Sequence, residues 1–363
     1  MKISAMNADV STFNNVVNLN GTRVGEGYKP YIVAELSGNH NQCLERALEL
    51  VNAVAKAGAQ AVKLQTYTAD TMTLDISVGE FFIEDKGSIW RGKSLYQLYK
   101  EAHTPWEWHK TIMERCKELG LAFFSTPFDS TALEFLESLD VPFYKIASPE
   151  NVDIPLIKKV AKTGKPLIIS TGMANLSELY EIIDTARSSG CKDLILMKCT
   201  SAYPALPTEI NLKTIRHMME LFNLPVGLSD HTLGIGVPVA AVALGASVIE
   251  KHFTLDRTDG GVDSEFSLEP YELNLLCSEA LRAWQAIGEV NYEVTTQEAK
   301  NRKYRRSIYV IDDVRMGEFF SKKNIRVIRP ALGLAPKHYE KVLGRRASKD
   351  SKRGEPLSWD HLD

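Results

Sequence analysis

The stretch YIVAELSGNHNQCLERALELVNAVAKAGAQAVKLQTY, residues 31–67, decides the fold. It opens on the apolar run Tyr31–Leu36 and closes on a second, Ala61–Tyr67. Between them, LERALELVNAVAKAGA carries apolar residues at helical spacing and stops at Gly58, a residue suited to the left-handed turn that ends a helix. That is one strand–helix–strand unit. An open nucleotide-binding sheet would need a glycine-rich phosphate turn after its first strand, and here the turn reads SGNHNQ. The unit then recurs. Further apolar runs stand at Ala122–Phe128, Phe143–Ser148, Leu167–Gly172, Leu194–Ser201, Val226–His231 and Val248–Thr254. Most are rich in Val, Ile, Phe and Leu, as strands covered on both faces are. The segment TPWEWHKTIMERCKELG reads as a helix capped by Thr104, with Pro105 at its first position and Gly120 at its end. Eight strand–helix units in series predict an α/β fold closed into a (β/α)₈ barrel, a TIM barrel.

A barrel takes roughly 250 residues, and the chain has 363. The remainder reads as a hairpin around NLNGTRVG within residues 1–30, a polar linker over 288–304 and a small β-rich domain over 305–363, with the barrel domain spanning 1–287. The last barrel helix is expected from about Glu269 to Ala286. The net charge of −3 hides an asymmetry. Residues 300–353 hold 17 Lys and Arg against 5 Asp and Glu, a balance of +12, which leaves −15 on the rest. A basic end on an acidic body suggests two domains that attract each other. The basic segment lacks interleaved aromatics and zinc or helix-turn-helix spacing, so no nucleic-acid partner is expected. No apolar run is long enough to span a membrane and the N-terminus has no signal core, so the expected location is cytoplasmic. Five scattered cysteines without CxxC spacing read as reduced thiols.

Barrel enzymes keep their chemistry at the C-terminal ends of the strands. Here those ends carry Glu35; Lys63, Gln65 and Tyr67; Lys145, Ser148 and Glu150; Ser170 and Thr171; Lys198, Thr200, Ser201 and Tyr203; Ser229, Asp230 and His231; and Glu250 and His252. Any one of them reads equally well as a cap or a filler of the barrel interior. Donors and charges at nearly every strand end point to an active site. His231 and His252 end neighbouring strands, close enough for two imidazoles to share a Mn²⁺, Fe²⁺, Co²⁺ or Zn²⁺ ion with water; the alternative is a structural or acid–base pair. Lys63 and Lys145 with Ser170 and Ser229 suit a phosphate beside a carboxylate, while a lone barrel lysine also suits an ion pair or a Schiff base. Glu35, Glu150, Glu250 and Asp263 could bind hydroxyls and move protons, or simply neutralise the lysines, Glu150 foremost. The loop from Thr68 to His103 is unusually long, and its Phe81, Phe82, Trp90, Tyr96 and Tyr99 argue for order over the barrel mouth.

The segments AELSGNHNQ, KLQTYTAD, FFSTPFD, YKIASPE, ISTGM, KCTSAYP, GLSDHTLG and IEKHFTLDR resemble the sialic acid synthase family. RSIYVIDDVRMGEFFSKKNIRVIRPALGLAP resembles the antifreeze-like SAF domain appended to these enzymes. Within the family, the loop EFFIEDKGSIWRGKSLYQLYKEAHTPWEWH and VDSEFSLEP are most similar to the pseudaminic acid synthase branch. The resemblance implies a transferase that condenses phosphoenolpyruvate with 2,4-diacetamido-2,4,6-trideoxy-L-altrose. A legionaminic or N-acetylneuraminate synthase acting on another amino sugar is the alternative. It implies a Mn²⁺ cofactor, or Co²⁺ or Mg²⁺, on His231 and His252, with Glu35 in catalysis. Lys63, Lys145, Ser148, Ser170, Ser201 and Ser229 match positions that hold phosphoenolpyruvate, although Ser201 stands where asparagine is commoner, and Thr126 is a further expected substrate-binding residue. Gln65, Glu150, Tyr203, Glu250 and Asp263 match positions around the sugar. Arg329 matches an arginine that reaches the partner subunit's site, which implies a domain-swapped homodimer. Two other readings stay open: a lysine-dependent aldolase using pyruvate, and a sugar- or ice-binding protein without catalysis.

Overall fold

The computed structural model describes residues 13–363, and the expected N-terminal extension before residue 13 lies outside them. The chain divides into two units, Met1–Gly288 and Glu289–Asp363. The first begins with a hairpin of β1 (Val16–Leu19) and β2 (Thr22–Gly25). Its Asn20–Gly21 turn has both residues left-handed, at φ 49° and 88°, the geometry that fits the twist of a two-residue hairpin.

Eight parallel strands then close into a barrel: β3 (Tyr31–Glu35), β4 (Ala61–Thr66), β5 (Ala122–Pro127), β6 (Tyr144–Ile146), β7 (Leu167–Ser170), β8 (Leu194–Cys199), β9 (Val226–Asp230) and β10 (Val248–His252). The closed order is β10-β3-β4-β5-β6-β7-β8-β9. Each strand lies within its expected run, most falling one or two residues short of its end.

Alternation along the strands separates two cores. Ile32, Ala34, Val62, Leu64, Phe123, Ile169 and Leu228 face outward and pack with the surrounding helices. Tyr31, Val33, Phe124, Phe143, Ile168, Ile195, Met197 and Val248 face inward and fill the lower barrel, with the rings of Phe124 and Phe143 centred 4.3 Å apart. Val17, Leu19 and Val24 of the hairpin join this inner cluster and are fully buried, so the hairpin plugs the barrel floor. Burying each side chain of that size contributes roughly 1.5–3 kcal/mol.

The helices of the first unit are α1 (Leu44–Ala57), α2 (Ala69–Met72), α3 (Leu95–Ala102), α4 (Trp108–Glu118), α5 (Ser130–Ser138), α6 (Ile154–Ala161), α7 (Leu176–Ser188), α8 (Lys213–Phe222), α9 (Gly236–Ala243) and α10 (Pro270–Ile287). Helix α1 ends as expected on a left-handed Gly58. Helix α4 does not start as expected. Thr104 is not its cap; the helix begins at Trp108, behind a turn in which Trp108 N donates to the Pro105 carbonyl. The Thr104 hydroxyl is buried against His40 Nε2 at 3.1 Å, a tertiary bond that takes the place of the local one. Two short helices span the long loop, α2 and α3, each closed by a capping box, from Thr68 and Ser94. No helix among the described residues is long and apolar enough to cross a membrane.

The second unit carries α11 (Thr296–Asn301), the antiparallel pair β11 (Ser307–Val310) and β12 (Ile325–Ile328), and α12 (Tyr339–Val342). Its small core holds Ile308, Val310, Val314, Phe320, Ile325, Val342, Ala347 and Leu357.

Two histidines are sunk in the first unit. Burial holds both His40 and His109 down to about 4, from an ordinary 6.5. His109 Nε2 bonds the Thr66 hydroxyl at 2.8 Å, and His40 packs edge-on to Trp108. Between those values the unfolded chain binds protons that the folded chain refuses, so stability is full above about 6.5 and is lost as pH falls towards about 4. Urea unfolding as a function of pH should show that decline, and a H40Q/H109Q double variant should show a shallower one. An equally steep decline in the double variant would assign it to other groups.

Candidate active site

The inward face of the barrel changes character toward the C-terminal strand ends. Below it is apolar; above, β4 turns in Lys63 and Gln65, β3 Glu35, β9 Ser229 and β10 Glu250 and His252. The strand β6 adds Lys145, with Ser148 and Glu150 just beyond it. The outward neighbour Lys251 instead bonds Asp230 Oδ2 at 3.0 Å, with both side chains fully buried.

These ends surround a cavity of about 290 Å³. It is lined by Glu35, Lys63, Gln65, Lys145, Ser148, Glu150, Ser170, Tyr203, Ser229, His231, Glu250, His252 and Asp263 among the residues expected from the sequence. Thr126 and Ser201 are not among its lining, nor are Thr171, Lys198, Thr200 and Asp230 of the strand-end set. Thr126 is buried just beneath, on the inner face of β5, and its hydroxyl has no partner. Ser201 lies beside the wall, its Oγ 3.9 Å from Cys199 Sγ. Arg329 is an exposed residue of the second unit, directly after β12.

Four charges form the floor. Lys63 Nζ contacts Glu35 Oε2 and lies 2.7 Å from Glu250 Oε1. Lys145 Nζ donates to both oxygens of Glu250, at 3.0 and 3.2 Å. Ser229 Oγ adds a third donor to Glu250 at 3.1 Å, and Gln65 Nε2 donates to Glu35 Oε1 at 2.7 Å. Burial favours neutral forms throughout, but it does not win everywhere. Lys145 and Lys63 hold the Glu250 carboxyl well below the usual range, and Glu250 and Glu35 hold the Lys63 ammonium above its own. For Glu35 burial does win and its proton affinity rises; burial likewise lowers Lys145. The lysines are therefore neutralised by Glu35 and Glu250, not by Glu150. Glu150 sits past β6 on a short turn, Pro149–Val152. Its Oε2 has no partner, and burial pushes the carboxyl up to about 7.

Beside this floor are unused donors. Ser170 Oγ is buried without a partner, as is the Thr126 hydroxyl. The Gly172 backbone N–H donates to Ser148 Oγ at 3.1 Å, and a Cβ at Gly172 would collide with the hydroxyls of Ser148 and Ser201. Only glycine allows so close an approach of three polar groups.

The two histidines meet with ring centroids 5.3 Å apart. His231 Nδ1 lies 3.0 Å from the Thr200 carbonyl, which can only accept, so Nδ1 carries a proton; burial opposes a charged ring, yet Cys199 and the Thr200 carbonyl raise its proton affinity. Burial, then the neighbouring His231, hold His252 well below its ordinary value; it is neutral, and its Nδ1 has no hydrogen-bond partner. Asp263 Oδ2 stands 3.5 Å from that nitrogen. No group of three or more His, Cys, Asp and Glu placed to hold a metal occurs among the described residues, so an ion here would rest on the two imidazoles and non-protein ligands.

Tyr67 of the strand-end set also lines the cavity, and the residues that reading did not assign include Cys199, Trp90, Tyr99, Phe128 and Val262. Alternation on β8 was the available signal for Cys199, since Ile195 and Met197 face inward with it. Burial opposes ionisation of its thiol, yet His231 and Lys145 bring it down to about 7. Trp90 and Tyr99 belong to the long aromatic loop expected over the barrel mouth, whereas Val262 left no strand-end signal.

Residues 50–292 match the NeuB family and residues 305–363 match the SAF domain. A pseudaminic acid synthase of Campylobacter jejuni is 45% identical, covering 91% of this chain and 95% of its own. An N,N'-diacetyllegionaminic acid synthase of Campylobacter jejuni is 38% identical over 90% of this chain and 98% of its own. The crystal structure of an N-acetylneuraminic acid synthetase from Leptospira borgpetersenii superposes with a TM-score of 0.70 at 31% identity, covering 80% of this chain and 96% of that one.

The floor generates one expectation. In a Lys63→Met variant two buried carboxylates lose their shared cation, which costs about 3–5 kcal/mol. Denaturant unfolding should register that loss, and a Lys63→Met/Glu35→Gln double variant should recover part of it. No recovery would mean that the two residues are not energetically coupled.

Proposed function

The chain belongs to the NeuB family, and from that premise we propose that it condenses phosphoenolpyruvate with 2,4-diacetamido-2,4,6-trideoxy-L-altrose and water, giving pseudaminic acid and phosphate. The observation that carries the reading is the ionic layer at the strand ends, where two buried lysines and the partnerless Ser170 hydroxyl line one cavity. A buried polar group without a partner is costly, and a phosphate or carboxylate oxygen would satisfy it. The greater similarity to a pseudaminic acid synthase than to a legionaminic acid synthase favours the trideoxy sugar.

In this proposal Lys63, Lys145, Ser148, Ser170, Ser201 and Ser229 hold the phosphate and carboxylate, with Thr126 as a further substrate-binding residue. Gln65, Glu150, Tyr203, Glu250 and Asp263 stand around the sugar. Both lysine amines sit in carboxylate contacts, which supports a positioning role over a Schiff base. The enol carbon attacks the open-chain aldehyde, forming the new C–C bond. Water adds at the carbon that bore the phosphate, and the C–O bond to phosphate breaks. Glu35, buried with a raised proton affinity, is suited to take the proton from that water. Glu150 is suited to exchange a proton with the sugar near neutral pH. The imidazoles of His231 and His252, the latter held neutral by burial, fit a divalent ion, with Mn²⁺ preferred and Co²⁺ or Mg²⁺ as substitutes. Such an ion would supply Lewis-acid polarisation of the aldehyde.

The test is phosphate release from phosphoenolpyruvate across a panel of amino sugars. The trideoxy bis-acetamido sugar should be the best substrate, oxygen-18 from the bridging position should leave with phosphate, and EDTA should stop turnover until Mn²⁺ or Co²⁺ is added. Release of no phosphate with any sugar would end the proposal, and full activity in chelator would remove the ion from it.

Arg329 we assign to the site of a second copy, in a swapped homodimer that unites a basic unit with an acidic barrel. Hybrid dimers of R329A and E35A subunits should then recover activity absent from either parent. A confirmed hybrid without activity would argue against completion in trans.

A further inference from the structure

The segment between β4 and α4 is far longer than a strand-to-helix connection requires. Within it, Ile83 N donates to the Lys93 carbonyl at 3.0 Å and Gly92 N to the Ile83 carbonyl at 2.9 Å. These bonds make a short antiparallel finger, and Trp90 lies near its tip. The indole N–H of Trp90 donates to the Val262 carbonyl at 2.8 Å, and its ring is centred 5.6 Å from that of Tyr203.

Those contacts have a topological meaning. Tyr203 follows β8 and Val262 follows β10. In the closed strand order, β4 and β8 stand on opposite sides of the barrel. A finger rooted after β4 that touches the loop after β8 has therefore crossed the mouth. The cavity beneath it has two unlike ends. The floor is ionic and rich in hydroxyls. The roof is Trp90 with Ile83, Leu95, Leu98 and Met72, all from the same crossing segment.

The roof offers a ligand no donor from its tryptophan, since Val262 already takes the indole N–H. A hydroxyl held under that face would leave water and gain no partner, whereas a methyl would gain contact and lose nothing. The floor suits the anionic end of the substrate pair, so the roof faces the end of the sugar remote from the reacting carbonyl. We infer that Trp90 is a specificity-determining residue, and that the roof it completes selects amino sugars ending in a methyl over those ending in a hydroxymethyl. The inference rests on the condensation proposed above. Val262 is followed by Asp263, so the same indole bond also tethers the loop that brings a carboxylate to His252. A purely structural Trp90 would affect all sugars alike.

The experiment measures kcat/KM for the 6-deoxy sugar and its 6-hydroxy counterpart in wild type, Trp90→Phe and Trp90→Ala, with KM for phosphoenolpyruvate alongside. Apolar sites that reject an added hydroxyl do so by about a hundredfold at most. Trp90→Ala should reduce the preference for the 6-deoxy sugar by about tenfold and raise its KM, leaving KM for phosphoenolpyruvate within about twofold. Trp90→Phe, which keeps a ring against Tyr203, should retain most of the preference. Where Trp90→Ala fails to fold, Ile83→Thr places a hydroxyl in the roof and should narrow the same ratio. An active enzyme whose ratio is unchanged in Trp90→Ala, or in Ile83→Thr when that variant stands in, overturns the inference alone. So does an equal loss for both sugars. A wild type that releases no phosphate with either sugar overturns the condensation and the inference together.

Discussion

Two ammonium groups inside a barrel must be neutralised, and the upper half of this structure is arranged around that requirement. Lys63 and Lys145 both reach Glu250, and Lys63 also reaches Glu35. Removing charge from water costs several kcal/mol per ion unless partners and hydrogen bonds replace the solvent. Ser229 and Gln65 supply some of those bonds to the carboxylates. A floor so balanced is stable without a ligand and still presents cations to one. The balance also separates the carboxyls. Glu250 stays ionised between two lysines, while Glu35 and Glu150 hold their protons more tightly. Environments that push like groups apart in this way are how one site assigns charge balance and proton transfer to different residues.

The apolar half of the barrel makes this layer affordable. Phe124, Phe143, Tyr31 and the hairpin residues Val17, Leu19 and Val24 exclude water from below. The finger carrying Trp90 covers the site from above by crossing the mouth. Between a dry floor plug and an apolar roof, the polar groups of the strand ends work in a low dielectric, where hydrogen bonds and charges act strongly. The histidines share this setting. Thr200 orients His231 through one ring nitrogen, the kind of bond that fixes how an imidazole points.

Much of the fold was legible because period and punctuation agree along the chain. Each barrel strand is a short apolar run between helical stretches, and the left-handed turns at Gly58 and Asn20–Gly21 mark ends that the residues require. The strand-end polar set was legible for the same reason, since alternation alone sends Lys63 inward and Lys251 outward. Thr104 shows where such reading failed. It has the form of a helix cap, yet its hydroxyl is used by His40, sixty-four residues earlier in the chain. The alternative in which Glu150 neutralises the lysines failed similarly, because nearness of Glu150 to Lys145 in sequence does not make them an ion pair.

What the residues determined by themselves is therefore the eight-strand barrel, the hairpin turn and the faces on which charges lie, all of which depend on local period and backbone preference. Only the tertiary structure decided which carboxylate answers which lysine, which hydroxyls remain unsatisfied, and that a tryptophan leaving β4 closes against loops beyond β8 and β10. Those outcomes depend on barrel closure, which brings together side chains as far apart in sequence as Lys63 and Glu250. No local pattern encodes a distance of that kind.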